Sequence, residues 1–296
     1  MSSFRAELRL PNELGPQLRA WRDTRGKSQL ELSLDTGISQ RQISFIESGR
    51  STPGRQNVLR LADALDVPFR ERNTLLLAAG YAPIYSEGSF DDQEMQGVTN
   101  ALKRMLRQHE PFPAVVMDRY WNVLMSNDAT LRFFGQFTDM AARPKPRNLL
   151  HLMFDPAGMR PFLADWEKTA ESLLGRVFRE SVGRVIDART KELIDSLLAY
   201  PDVNAEWQTS PAIENAPIIP LSFVKNGHVL KFFSLVTTVG TPRMISTQEL
   251  RVECMFPLDD ATEARYAELM NATQGSNPVS HRRSARGCKV SRIRPP

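Results

Sequence analysis

Cysteine is nearly absent from this chain: Cys254 and Cys288 are the only two in 296 residues, too few for a disulfide framework or a zinc site. Histidine is almost as scarce, and His109, His151, His228 and His281 are scattered without H-E-x-x-H spacing or a cysteine nearby to share a metal. There is no G-x-S-x-G, no phosphate-binding loop and no glycine-rich dinucleotide turn. These gaps argue against an enzyme and against a bound metal or cofactor. No window approaches the ~18 consecutive apolar residues of a membrane span, and the best run, 230–239, is broken by Lys231. The opening MSSFRAELRLPNEL carries charges where a secretion signal needs an apolar stretch. The expectation is a cytoplasmic, globular protein of a reducing compartment with no membrane partner.

The net charge of +4 is unevenly distributed. Residues 1–83 hold 12 Lys/Arg against 9 Asp/Glu, 84–274 hold 20 against 25, and 275–296 hold 6 against none, giving +3, −5 and +6. If nucleic acid is a partner, the two ends meet it and the middle does not.

Residues 1–83 are punctuated as five helices. Leu14, Leu18 and Trp21 fall at i, i+4, i+7, with Trp21 in the core. Ser28 and Glu31 have the spacing of a capping box, and the helix they open stops at Gly37, where a left-handed backbone is cheap. Ser39 caps a third helix, Gln40 to about Ser48; Asn57–Leu65 and Arg70–Ala79 follow. A helix, a short turn with glycine and a second helix at a steep angle is the device that lays one helix in a DNA major groove. Leu32, Ile38, Ile43 and Ile46 are spaced to clamp the two helices. Gln40, Arg41 and Ser44 are left on the outer face, residue types that pair with base edges. Ser28, Gln29 and Arg50 lie where the unit approaches phosphates, and Ser39 opens the second helix beside them. Glu47 reads as a helix-end residue that ties down neighbouring backbone. Arg55, Arg60, Arg70 and Arg72 read as solvated helix-face charges.

The segment SQLELSLDTGISQRQISFIESGRSTPGRQNVLRLADALDV resembles the Cro/C1-type helix-turn-helix of the XRE family of bacterial regulators. The resemblance covers roughly residues 14–80. It rests on S-Q-x-E-L, the central Gly37, the run Ile43 to Gly49, Arg50 and R-L-A-x-A-L. It implies a sequence-specific transcription regulator whose partner is a double-stranded DNA operator.

After a polar linker, IYSEGSFDDQ at 84–93, the pattern changes. A helix at Met95–Gln108 leads to strands Ala114–Met117 and Tyr120–Ser126 around a short Asp118-Arg119 turn, with Arg119 solvated. Helices follow at 127–135 and across 160–199. Strands return at Ile218–Val224, Val229–Thr238 and Leu250–Phe256, the first two joined by Asn226-Gly227, a strong hairpin signal. The fold class is therefore α+β: an all-α head followed by one antiparallel sheet flanked by helices. The expected divisions are a DNA-binding domain at 1–83, a linker at 84–93, a ligand-binding domain at 94–274 and a basic disordered tail at 275–296.

The stretches LLLAAGYAPIY, AVVMDRYWNVLMSNDATLRFFG, RNLLHLMFDPAGMRPFLADWEKTAESLL and LLAYPDV resemble the ligand-binding domain of MmyB-like regulators over about residues 100–262. That resemblance implies a PAS-like fold and a small apolar ligand of fatty-acid type. The many Phe, Leu and Met side chains suit either an adaptable apolar pocket or an ordinary core. Ligand candidates are Asn127, Phe133, Arg147 and Phe154; Asn127, directly after a strand, reads first as the cap of the next helix and second as an anchor for a ligand head group, and Arg147 is a carboxylate partner ahead of an apolar run. His151 reads as a satisfied buried histidine, Cys254 as an inert core thiol, and Asp259-Asp260 as the end of the sheet. A homodimer is expected, because one short recognition helix covers few base pairs. The rival reading is a constitutive DNA-binding protein whose second domain only dimerises or recruits a protein partner.

Overall fold

The computed structural model describes residues 13–88, 92–180, 187–209 and 220–274. The basic tail at 275–296 and part of the linker lie outside them.

Five helices build the head: α1 (Leu14–Thr24), α2 (Gln29–Thr36), α3 (Gln40–Glu47), α4 (Arg55–Ala64) and α5 (Phe69–Ala78). Their ends follow local chemistry. The Ser28 hydroxyl accepts from Glu31 N while the Glu31 carboxylate accepts from Ser28 N, closing the capping box of α2. Gly37 ends α2 at φ 69, and Ser39 caps α3 through Gln42 N. Trp21, Leu32, Ile43 and Ile46 are fully buried, joined by Ile38, Val58, Leu61, Leu75 and Leu76 in one core. A Cβ on Gly15 would stand 2.6 Å from the Glu47 carbonyl oxygen, so α1 and α3 approach as closely as they do because this residue has no side chain.

The second unit opens with α6 (Gln96–Gln108) and contains one five-stranded sheet: β1 (Ala114–Met117), β2 (Val123–Ser126), β3 (Leu221–Lys225), β4 (His228–Thr238) and β5 (Arg251–Pro257). Every pairing is antiparallel, in the order β2-β1-β5-β4-β3. Helices complete it: α7 (Asp128–Phe134), α8 (Leu149–Phe154), α9 (Trp166–Glu180), α10 (Ala188–Leu198), α11 (Ile245–Glu249) and α12 (Asp260–Gln274). The β3–β4 turn has Asn226 at φ 51 and Gly227 at φ 77, the left-handed pair a two-residue hairpin requires.

All four residues of β1 are buried, because each face of the sheet is covered. Ala114 and Val116 meet α6 through Leu102 and Leu106. Val115 and Met117 meet the layer formed by α7, α8, α9, α10 and α12. The architecture is α+β, five head helices followed by a curled antiparallel sheet with flanking helices, consistent with a PAS-like domain.

Several local expectations shift. The second strand starts at Val123 rather than Tyr120, because residues 118–122 form a larger turn. There the Asp118 carboxylate accepts from the Tyr120 and Asn122 amides and from the Asn122 side chain. Asp259 does end the sheet, and it also begins α12 by accepting from Thr262 N. The first residues of the expected strand, 218 and 219, lie outside the described residues.

Candidate DNA-binding face and ligand cavity

The outer face of α3 is open to solvent. Ser39, Gln40, Arg41, Gln42 and Arg50 are exposed, and Ser44 is half-buried. Phe45, which the sequence reading passed over, forms a shelf beneath two cations: the Arg41 guanidinium stands 5.3 Å from its ring centre and that of Arg50 6.0 Å. Cation–ring contacts of this kind restrict long side chains without neutralising them. Ser28 and Gln29 lie at the start of α2 beside this face. The Ser28 hydroxyl is engaged in its cap, and the Gln29 amide donates to Glu47 Oε2 at 2.8 Å.

Glu47 does not tie down backbone, as its sequence position suggested. Its carboxylate takes a two-pronged pair from Arg22, Nε to Oε1 at 2.6 Å and Nη2 to Oε2 at 3.0 Å. That pair is nearly buried, with 10% and 4% of the two side chains exposed. It pins the C-terminal end of α3 to α1, and the carboxylate holds the Arg22 guanidinium above its ordinary pKa. Arg70 and Arg72 are not simply solvated either. Arg72 pairs with Asp63, and Arg70 pairs with Glu249 of the second unit at 2.8 Å.

Asn127 has the structural one of its two expected roles. Its Oδ1 accepts from Ala114 N, Thr130 N and the Thr130 hydroxyl, and its Nδ2 donates to the Phe112 and Leu106 carbonyls. It caps α7 and ties that helix to β1, leaving no side-chain atom for a ligand. Phe133 is fully buried among Phe134, Phe137, Phe223, Phe232 and Tyr266. Phe154 is fully buried against Trp166 and Tyr200. Both are core, because the helical layer closes over them. Space between sheet and helices is small there: a void of about 20 Å³ lined by Val115, Phe134, Met153, Glu253 and Met255, close to the volume that admits one water.

A partly enclosed space lies outside that core. A cavity of about 250 Å³ is lined by Met140, Pro144, Pro146, Leu152, Arg143, Arg147, His151, Asp155 and Tyr200 among others. Arg147 is the one ligand candidate that reaches it. Its Nε and Nη2 donate to the Met140 carbonyl at 3.1 and 2.8 Å, which tethers the guanidinium to another lining residue. Arg143 and Asp155, both in the lining, pair with each other. Burial raises the Asp155 pKa, but the Ala157 amide and Arg143 outweigh it and bring the carboxyl below its usual range.

His151 is half-buried, and its hydrogen bonds fix its tautomer. The one proton of the Ser196 hydroxyl goes to the Leu193 carbonyl at 2.6 Å. Nε2 of His151 therefore donates to Ser196 Oγ at 3.3 Å, and Nδ1 accepts from the Tyr200 hydroxyl at 3.0 Å. Burial lowers the pKa of His151, in keeping with a neutral ring. Cys254 is half-buried, and burial raises its thiol pKa. Among the described residues no group of three His, Cys, Asp or Glu side chains is placed to hold a metal ion. No described helix is long and apolar enough to cross a membrane.

Arg119 is the largest departure from expectation. It is buried, with Glu71 of α5 at 2.7 Å, Asp187 at 2.9 Å and Glu249 of α11 at 3.1 Å. A residue between two strands looks solvated when only its chain neighbours are considered; these acids lie 48 to 130 positions away.

A capped helix pair with an exposed polar outer helix, ahead of a helix-flanked sheet with a cavity, defines a helix-turn-helix regulator with a ligand-binding domain. Residues 18–72 match the helix-turn-helix family, and residues 98–269 match the MmyB-like transcription regulator ligand binding domain. The second match spans more than half of the chain, which thus belongs to the MmyB-like transcription regulators. It is a DNA-binding transcription regulator with a ligand-binding domain, and both matched families are regulator domains rather than enzymes. No curated protein matches this chain. Among solved structures, that of an RNA-binding Light-Oxygen-Voltage receptor aligns at 13% identity and TM-score 0.24. That alignment covers 89% of this chain and 63% of the receptor chain.

Proposed function

We propose that this regulator reads its operator through α3 and senses a small apolar, fatty-acid-like molecule in the cavity beside His151. In this reading Gln40, Arg41 and Ser44 meet base edges, while Ser28, Gln29, Ser39 and Arg50 face the phosphate backbone. The protein acts as a homodimer, with half-sites ~34 Å apart, one helical turn. The observation that carries the DNA half is the exposed outer face of α3, with Arg41 and Arg50 supported on Phe45. Selection from random-sequence DNA by the full-length protein tests it. A recovered two-fold motif is the expected result; binding without any enriched sequence contradicts it.

The ligand half rests on the cavity. At about 250 Å³ it lies just below the ~300–1,000 Å³ of common small-molecule sites, which suits a compact or medium-chain molecule. Met140, Pro144, Pro146 and Leu152 supply apolar wall, and Arg147 supplies a cation for an acidic head group. Denaturing the purified protein and analysing the released small molecules by mass spectrometry tests this half. A stoichiometric fatty-acid-like compound is expected. A clean extract from protein that also fails to bind added carboxylates favours the second reading, a domain that only dimerises or recruits a partner. The nearly filled space between sheet and helices, about 20 Å³, is the observation on that side.

A further inference from the structure

Neither base readout nor ligand capture uses the contact between the head and the ligand-binding domain, yet the buried charges of Arg119, Glu71 and Glu249 meet there. Arg119, with 6% of its side chain exposed, bridges Glu71 of the head to Glu249 and Asp187 of the second domain. Arg70 of α5 adds a second span, to Glu249 at 2.8 Å and Glu87 at 2.5 Å. Around these pairs, Gln248 Oε1 accepts from Phe69 N at 2.8 Å. The Ser86 and Glu87 carbonyls accept from Ile245 N and Ser246 N. Phe69 stacks on Tyr85 at 4.3 Å. The start of the linker is thereby fastened on both sides.

Within the cluster Glu71 pairs with Arg119, whereas Glu249 pairs with both Arg119 and Arg70. Without Arg119, Glu71 loses its ion-pair partner in a place largely removed from water, where unpaired charge is costly, and Glu249 keeps only Arg70. Glu71 Oε2 is already buried without a partner. Arg119 itself stands on a stiff base. Asp118 closes the 118–122 turn with its carboxylate, and buried Trp121 is held at φ 67, a region bulky residues rarely enter.

Helix α10 joins this cluster to the cavity. Asp187 caps α10 by accepting from Thr190 N and pairs with Arg119 through its other oxygen. Arg189, in the first turn, lies 4.4 Å from the centre of the Tyr120 ring. The 11 residues of α10 span ~16 Å at ~1.5 Å per residue. At the far end Ser196 hydrogen-bonds His151, and Tyr200, just beyond the helix, holds the other ring nitrogen. Meanwhile α5 packs on α1 and α4, whereas α3 packs on α1 and α2, so the docked side of the head is not its DNA-facing side.

We propose that Arg119 is the positioning residue that clamps the DNA-binding head to the ligand-binding domain, and that α10 links this clamp to the cavity at His151 and Tyr200, so that filling the cavity loosens the clamp. The last step rests on the reading of that cavity as the ligand site; the clamp itself does not.

Hydrogen exchange read by mass spectrometry on the full-length protein tests both parts. In Arg119→Met, amides of 69–73 and 245–249 are expected to exchange about ten-fold faster, while those of α3 and β5 keep their protection, a local opening rather than unfolding. Arg119→Lys restores part of the protection, because an ammonium pairs with an acid but does not fork across three. Asp187→Asn moves the same amides by a smaller factor. Should Arg119→Met fail to fold, Glu249→Gln keeps the side-chain shape and carries the same expectation at reduced amplitude. Unchanged exchange at 69–73, or exchange rising equally through β1, β2 and β5, overturns the clamp. Dodecanoate added to the wild-type protein is expected to accelerate the same amides and to have no further effect on Arg119→Met. Dodecanoate that binds by calorimetry without moving those amides overturns the α10 link. Dodecanoate that does not bind counts against the fatty-acid reading of the cavity and leaves the clamp to be judged by the variants, with Asp187→Asn deciding the link.

Discussion

The head and the ligand-binding domain use charge in opposite ways. In the head, Arg41 and Arg50 stand in solvent over Phe45, while the buried pair Arg22–Glu47 ties the helix that carries Arg41 to α1. In the second domain the prominent cations are withdrawn: Arg119 is held by three acids, and Arg176 lies between Glu180 and Glu253 over the Trp121 ring. A surface that must meet phosphates keeps its cations unneutralised. A domain that must hold a shape pairs its charges internally, where geometry rather than net charge decides the outcome. Removing an exposed cation therefore alters recognition, whereas removing a buried partner alters the fold.

The largest effect should come from the internal pair of the head. Glu47→Ala leaves Arg22 buried without its carboxylate and is expected to cost ~3–5 kcal/mol of head stability, read by urea unfolding. A loss below ~1 kcal/mol would place that pair with ordinary surface bridges and erase the contrast. Next, Arg41→Ala should leave unfolding within about 0.5 kcal/mol of wild type and weaken operator binding by ~1–3 kcal/mol, with relaxed preference at one base. Uniform weakening on all sequences would make Arg41 a phosphate contact instead. Ser39→Ala removes the cap of α3 and is expected to cost ~1 kcal/mol of stability, measurable in the same titration.

The smallest effect is a pH dependence. Because burial lowers the pKa of His151 below its ordinary 6.5, the unfolded chain takes up this proton before the folded one. Its contribution is thus fully present above pH ~6.5 and is lost as pH falls below that value. In His151→Gln this part of the slope should vanish, and an unchanged slope would show that another group is responsible.

What could be read along the chain was local. The Ser28–Glu31 capping box, Gly37 as the stop of α2, Ser39 as a cap and the Asn226-Gly227 hairpin each depend on residues within four positions of one another. Asn127 showed both the promise and the limit of such signals: the cap was visible, but the engagement of every side-chain polar atom with α6, β1 and α7 was not. Sites assembled by distant segments were not legible. Arg119 meets Glu71 and Glu249 across 48 and 130 positions, and Glu47 meets Arg22 across 25. The cavity joins residues 140–155 to Tyr200, a juxtaposition no periodicity announces. Phe133 and Phe154 illustrate why composition alone misled: the same aromatic residues that suit a pocket also fill a core, and here they fill the core.

The central claim is that what occupies the cavity changes how the head engages DNA. The direct measurement is operator affinity of the full-length protein, stripped of bound small molecules and then reloaded with the compound extracted from it, at one fixed salt concentration. A change of ~5–150-fold, the usual range of coupling between two sites, is predicted, and Arg119→Met should abolish it. Equal affinity in the stripped and loaded states would contradict the claim and leave a DNA-binding protein whose second domain does not report to the first.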